Sequence, residues 1–342
     1  MKVLITAVSG PTAIGIIKCL INEPDIEIVG TDIYKNSIGK KWLKKVYEVP
    51  KHDSIDEYRN KLCEIISKEK IDIVFPTLQE ELLLVNSLAD ELGIFSATVK
   101  NYPLERLLNK ETIYVDLTAK GLEKYIPNYG IYTNEDTFNT LIEEKFDNND
   151  AICTKKISGH GGKGFAIISL NKDNQIENLE KGFIYVEDYK LFLRKSNNKA
   201  QMMLCDYIEG EEISVDILRH EKEIKAITPR VRSKVSTGIV IDGKTSKIDR
   251  IIEAATEIVE AFDIEGFLNV QFIYNDKQTI LIDLNPRFCG SQVMSFGAGV
   301  NYPNMICNIA KGNRVEAITP KWNIETRRYW ESIFYDEKGN II

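Results

Sequence analysis

Over the first hundred residues, short apolar runs alternate with segments of helical patterning, and that alternation leaves few folds open. Runs 2–6, 26–32 and 71–75 read as short buried strands. Between the first two, Ala13, Ile14, Ile16, Ile17, Leu20 and Ile21 recur at helical spacing. A second helix follows Ser54, with Glu57 in capping-box position and Ile55, Tyr58, Leu62, Ile65 and Ile66 on one face. A third runs through Leu82, Leu83, Val85 and Leu88 and stops at Gly93. Strands separated by helices pair in parallel, because each helix carries the chain back across the sheet. The expectation for 1–103 is an α/β domain.

After Pro103 the pattern changes. A short helix over 109–120 leads to Ile126-Pro127, and strands then dominate, at 151–156, 165–170, 201–207, 213–219 and 223–229. One amphipathic helix, 248–262, carries Ile251, Ile252, Ala255, Ile258 and Val259 at 3.6 spacing. A hairpin, 267–274 and 279–285, and a helix at 302–310 complete a mixed α+β domain from about 104 to 320. The tail, 321–342, reads as an edge strand. A chain of 342 residues has room for two domains or three.

Charge and rare residues exclude several classes. With 44 basic and 51 acidic residues the net charge is −7, which argues against nucleic acid as partner. The basic stretch 35–51 reads as a solvated face. No run of 18 apolar residues is present, so no membrane span is expected. The apolar start after Met1-Lys2 is interrupted by Ser9-Gly10-Pro11-Thr12 and reads as strand then helix rather than as a leader. Six cysteines without a CxxC pair fit a reduced, cytoplasmic chain. His52, His160 and His220 lie too far apart for a local zinc or Ser-His signature, so metal chemistry would use oxygen ligands.

Five segments carry chemistry. Strand one ends in Ser9-Gly10-Pro11-Thr12-Ala13-Ile14-Gly15 and strand two at Asp32, which invites a dinucleotide reading. The spacing is not GxGxxG, however, and Pro11 removes an N–H that could face a phosphate; a tight strand–helix turn explains it equally. The run Lys155-Lys156-Ile157-Ser158-Gly159-His160-Gly161-Gly162-Lys163-Gly164 has a backbone free to wrap phosphate oxygens, with Lys155 at a strand end. A mobile hairpin tip is its plain alternative. Around Ile208, between Asp206 and Glu212, backbone groups could take a purine edge and Glu212 a ribose. Arg230, Arg232 and Lys234 share a strand face at period two and would repel without an anion between them; a solvent-facing edge strand is the other reading.

The hairpin is the most informative. If its turn centres on Lys277, Gln271 lies opposite Asp283, and Asn285 shares Asp283's face. Cross-strand partners about 5 Å apart let three oxygens converge on one small cation. Mg²⁺ favours a few protein oxygens plus substrate phosphates. Arg287, just past Pro286, adds a cation at the same end.

The order of these motifs resembles the ATP-grasp superfamily, nearest to the large subunit of carbamoyl-phosphate synthetase and its short stand-alone relatives. The resemblance covers about 1–320. It implies a Rossmann-like pre-ATP-grasp domain, 1–103, then an ATP-grasp domain, 104–320, with a lid subdomain at about 120–206 and a C-terminal mixed sheet. It makes Lys110 and Lys155 the ATP-phosphate lysines and Ser158, Gly159, Gly161, Gly162 and Gly164 the phosphate-covering loop. It makes Asp206, Tyr207 and Ile208 the adenine hinge and Glu212 the ribose carboxylate. Gln271, Asp283 and Asn285 become the metal ligands, and Arg287, with Arg230 and Arg232, handles reacting anions. The implied cofactors are ATP and Mg²⁺, with Mn²⁺ as substitute. The implied activity is an ADP-forming carboxylate–amine ligase with an acyl-phosphate intermediate, acting on small molecules, and a homodimer. Asp283 stands where these enzymes usually carry glutamate, and Lys156 where a proline commonly follows the strand lysine. A non-catalytic Mg-ATP-binding protein and an NAD-dependent oxidoreductase built on 1–100 stay open.

Overall fold

The computed structural model of the protein describes residues 1–159, 164–171, 182–196, 200–236 and 239–342. The chain forms two compact units. One comprises Met1–Leu107, Glu212–Gln271 and Asp283–Ile342, the other Leu108–Glu211 and Phe272–Ile282.

In the first unit, β1 (Lys2–Ile5), β2 (Glu27–Asp32), β3 (Lys45–Glu48), β4 (Ile73–Phe75) and β5 (Phe95–Ser96) form a sheet ordered β3-β2-β1-β4-β5. Every pairing in it is parallel, as the alternation predicts. Helix Pro11–Leu20 starts with Pro at its first position, where the missing N–H costs no helical bond. Its Ile16, Ile17 and Leu20 join Val3, Ile5 and Phe75 in one core, completed by Tyr302 and Ile306 of helix Tyr302–Ala310. On the other face, Tyr58, Leu62, Ile65 and Ile66 of helix Ile55–Glu69 pack with Val85 and Leu88 of helix Leu82–Leu92. Strand β3 lies inside the basic stretch read as a solvated face. Lys45 stays at the surface, paired with Glu27 and Glu69, while Val46 packs against the core.

The second unit holds β6 (Tyr129–Tyr132), β7 (Ala151–Lys156), β8 (Ala166–Ser169), β9 (Ile184–Tyr185) and β10 (Met202–Asp206), ordered β6-β10-β7-β8-β9. Two helices depart from the strand-dominated expectation for this stretch: Glu135–Lys145 and Val186–Lys195. The first is announced by Asn134, whose side chain accepts the Thr137 N–H at 2.9 Å, a cap worth about 1 kcal/mol. Phe138 and Tyr189 from these helices fill the core against Tyr132, Ile152, Ile168 and Leu204.

The chain then returns to the first unit. Strands β11 (Glu211–His220), β12 (Glu223–Ser236), β13 (Ile239–Thr245), β14 (Gly266–Tyr274), β15 (Thr279–Asn285) and β16 (Glu325–Arg327) are ordered β15-β14-β11-β12-β13-β16. Strand β12 runs seven residues beyond its expected end at 229. Helix Asp249–Ala261 buries Ile251, Ala255, Ile258 and Val259 of the face its periodicity predicts, with Ala254 buried in addition and Ile252 half-buried at its edge. The tail supplies β16, antiparallel to β13 at the sheet edge.

Candidate active site

Strand β14 carries Gln271, and its sheet neighbour β15 carries Asp283 and Asn285. The Asn285 side-chain amide donates to Asp283 Oδ2 at 3.2 Å, and the Gln271 amide donates to Asn269 Oδ1 at 3.5 Å. Each amide nitrogen is thus used by the protein, and the amide oxygens of Gln271 and Asn285 join Asp283 as acceptors. This set fits a hard cation that completes its shell with phosphate oxygens. Among the described residues no three His, Cys, Asp or Glu side chains form a metal cluster, so amide oxygens would share the work.

Asn269 is held from behind. Its amide donates to Asp216 Oδ1 and Ser214 Oγ, both at 2.9 Å. Asp216 also accepts from Arg230 at 2.6 Å and from Ser295 at 2.7 Å. Asp216 thereby ties β11, β12, β14 and helix Val293–Gly297 into one polar network. Sequence reasoning missed this hub. Its signal was an aspartate inside the apolar strand Ile213-Ser214-Val215-Asp216-Ile217-Leu218, where a charge needs a buried partner.

Arg230 departs from its expected role toward substrate anions. It is fully buried, with Asp216 as counter-ion and the Ser291 carbonyl as a second acceptor at 2.7 Å. Burying a guanidinium requires such a partner, and one thus enclosed positions its neighbours rather than touching substrate. Arg232 pairs with Glu212, the expected ribose carboxylate. No anion is therefore needed between the two arginines. Lys234 is exposed, beyond a register shift between β12 and β13 that breaks the strict period of two. Arg287 donates to the Phe288 carbonyl at 3.0 Å. Burial lowers its pKa from the ordinary arginine value, opposed by Cys289, Asp283 and Glu80.

The second unit positions the lysines. Lys155 on β7 donates to Tyr114 Oη at 2.9 Å and to the Ile282 carbonyl at 3.1 Å, and its ammonium lies 5.1 Å from the Tyr114 ring centre. Burial works against that charge, and the contact with Tyr114 opposes it and raises the lysine's pKa. Asn109 caps helix Lys110–Ala119 by accepting the Thr112 N–H, which fixes Lys110 in the first turn. Its ammonium donates to the Gly159 carbonyl at 3.1 Å. Gly164 adopts φ +81°, a conformation suited to glycine, beside the Lys156 side chain. Ser158 is exposed at the loop's start; Gly161 and Gly162 lie outside the described residues.

At the expected hinge, the Asp206 carboxylate is engaged by the Asn128 backbone N–H and by the Asn149 amide at 2.9 Å, so it anchors the segment through its side chain. Tyr207 packs edge-on against Phe183, and Ile208 is half-buried past the end of β10.

The dinucleotide reading loses its carboxylate. Asp32 is 3% exposed and accepts from the Ser9 N–H at 2.7 Å and from the Ser37 hydroxyl and Tyr34 N–H, both at 3.0 Å. An oxygen pair so occupied has little left for a ribose.

A family model described as ATP-grasp in the biosynthetic pathway with Ter operon matches residues 198–331. A curated relative, the carbamoyl phosphate synthase large chain, C-terminal section, of Methanocaldococcus jannaschii, is 24% identical over 170 residues. That match covers 48% of this chain and 26% of the relative, so the chain spans about a quarter of that protein's length. Among solved structures, biotin carboxylase of Campylobacter jejuni superposes with a TM-score of 0.68 at 14% identity, over 95% of this chain and 74% of that one. The L-amino acid ligase of Bacillus licheniformis gives 0.63 at 13%, over 91% and 74%. At such identities the likeness is one of fold.

Proposed function

We propose, from the premise that this chain belongs to the ATP-grasp superfamily, that it is an ATP-dependent carboxylate–amine ligase. The observation that carries the reading is the oxygen set of Gln271, Asp283 and Asn285, in which the amide nitrogens of Gln271 and Asn285 already donate within the protein. In this reading a substrate carboxylate oxygen attacks the γ-phosphorus of ATP, the bond to the β,γ-bridging oxygen breaks, and ADP leaves. An amine then attacks the carbonyl carbon of the acyl phosphate, losing a proton as phosphate departs.

Phosphoryl transfer asks for positioning and charge neutralisation more than for a protein base. Lys155 and Lys110 would hold phosphate oxygens, and Arg287 the transferring group. Mg²⁺, when held by Gln271, Asp283 and Asn285, supplies Lewis-acid stabilisation of the phosphates. The glycine-rich segment after Lys155 would exclude water from a hydrolysable acyl phosphate. Small-molecule substrates and a homodimer belong to the same reading, and Mn²⁺ is proposed as a substitute metal.

The test is ADP release from Mg-ATP with pools of carboxylates, using hydroxylamine as a general amine. Carboxylate-dependent ADP together with a hydroxamate supports the ligase. Tight Mg-ATP binding with no turnover across the panel would select a nucleotide-binding protein instead, a reading favoured by the single carboxylate in the metal set.

A further inference from the structure

Strand β16 ends the six-stranded sheet of the first unit, and its outer edge pairs with no other described strand. The Thr245 N–H donates to the Ile324 carbonyl at 3.1 Å, and the Arg328 N–H to the Ile241 carbonyl at 2.9 Å. Residues 324, 326 and 328 therefore turn their backbone groups toward β13. Glu325 and Arg327, between them, point their N–H and C=O groups the other way, where no described residue bonds to them. Both side chains are exposed, and neither makes an ion pair among the described residues.

This edge is complementary to itself. A two-fold axis through Thr326 pairs two copies antiparallel, with Glu325 opposite the partner's Arg327 and Arg327 opposite the partner's Glu325. These are the residues with unused backbone groups, so each such pair exchanges both N–H···O bonds while opposite charges face one another. Within one chain, Asp242 already faces Arg327 and Lys244 faces Glu325. Charge sign then alternates across the joined strands, from Asp242 through Arg327 and the partner's Glu325 to the partner's Lys244. A slip of two residues sets Glu325 against the partner's Glu325, or Arg327 against the partner's Arg327, and like charges directly opposite repel. Just beyond the strand, Tyr329 is 78% exposed and Trp330 87% exposed. Such side chains gain by leaving water, and Trp and Tyr are the types that anchor interfaces.

We infer that the outer edge of β16 is the interface of a two-fold dimer of this chain, joining the two β16 strands about Thr326 with Tyr329 and Trp330 at its flank. The homodimer is part of the ligase reading, and the choice of a second copy as partner rests on it together with this self-complementarity. The pairing itself needs no nucleotide.

Sedimentation velocity of the full chain over a micromolar concentration series tests the edge. The wild type is expected to sediment as a dimer. Arg327→Glu and Glu325→Arg each bring like charges face to face, and each should raise the dissociation constant about tenfold or more. An equal mixture of the two variants has opposite charges in both pairs and should recover the dimer. Trp330→Ala should weaken the wild-type dimer. Arg327→Gln should weaken it less than charge reversal, and serves if a reversal variant does not fold. A monomeric wild type, a dimer equally stable in both folded reversal variants, or a mixture that stays monomeric overturns the β16 interface. In the second case the homodimer stands through another surface. Absence of carboxylate-dependent ADP release from a dimer that responds as expected removes the ligase reading instead and keeps the interface.

Discussion

Arg230 Nη2 lies 2.6 Å from Asp216 Oδ1, and the two side chains are 1% and 0% exposed. Around this pair, Asn269 and Ser295 donate to the Asp216 carboxylate, and Ser214 Oγ accepts from the same Asn269 amide. The backbone carbonyl of Asp216 accepts from Tyr302 Oη at 2.8 Å. A charge in that position has no water to fall back on.

Asp216→Ala is therefore expected to destabilise the protein by roughly 3–5 kcal/mol, because it leaves Arg230 charged and buried. Denaturant unfolding measures this. A paired change, Asp216→Leu with Arg230→Met, should cost less than the single one, since it removes both charges. A single variant as stable as wild type would show that the pair is not enclosed as described.

Lys155→Ala should weaken Mg-ADP binding about tenfold or more if the ammonium holds phosphate oxygens. Tyr114→Phe removes the hydroxyl, which accepts from Lys155 and donates to the Leu281 carbonyl, each at 2.9 Å, and should cost about 1–3 kcal/mol of stability, with a smaller effect on nucleotide affinity. Calorimetric titration of both variants with Mg-ADP checks the contrast. Equal affinities for Lys155→Ala and wild type would remove Lys155 from the phosphate site.

Asp283 carries the one negative charge of the proposed metal set. Asp283→Asn should raise the Mg²⁺ concentration needed to support ADP binding by about tenfold, while ADP binding without Mg²⁺ stays close to wild type. Asp283→Glu restores a methylene of reach and should bind Mg²⁺ at least as well as wild type. An unchanged Mg²⁺ dependence in Asp283→Asn would overturn the metal assignment.

Arg194 grips Glu135 through both Nε and Nη2, joining the last turn of helix Val186–Lys195 to the first turn of helix Glu135–Lys145. The hydrogen bond from Arg194 lowers the Glu135 pKa below its ordinary 4.5, against a smaller desolvation effect that raises it. A carboxylate depressed on folding contributes stability that is complete above its ordinary value and lost as pH falls through the lower, folded one. Arg194→Gln should move the Glu135 carboxyl titration, followed by carbon NMR, back toward the ordinary value. High salt should shrink the difference, as the pair is solvent-exposed. An identical Glu135 titration in both proteins would refute the pairing.

Much of the architecture was readable along the chain. Periodicity located the parallel sheet of β1, β2 and β4, the helix Asp249–Ala261 and both strands of the hairpin, because these elements bury one face and repeat apolar residues accordingly. It missed β3, whose lysines look like a solvated run until Glu27 and Glu69 are placed beside Lys45. It also missed the helices Glu135–Lys145 and Val186–Lys195, although Asn134 carried a capping signal.

The site divides along the same line. Local spacing was enough to put Asp283 and Asn285 on one strand and to mark Lys155 at the end of another, since strand geometry alternates whatever surrounds it. It could not distinguish Arg230 from Arg232 or Arg287, for all three are equally basic letters. Only the tertiary structure decided that Arg230 is enclosed with Asp216, that Arg232 meets Glu212, and that Arg328 turns inward beside Gly290. The physical reason is that a charge's role depends on its burial and its counter-ion. Both are supplied by residues distant in the chain, which short-range patterns do not encode.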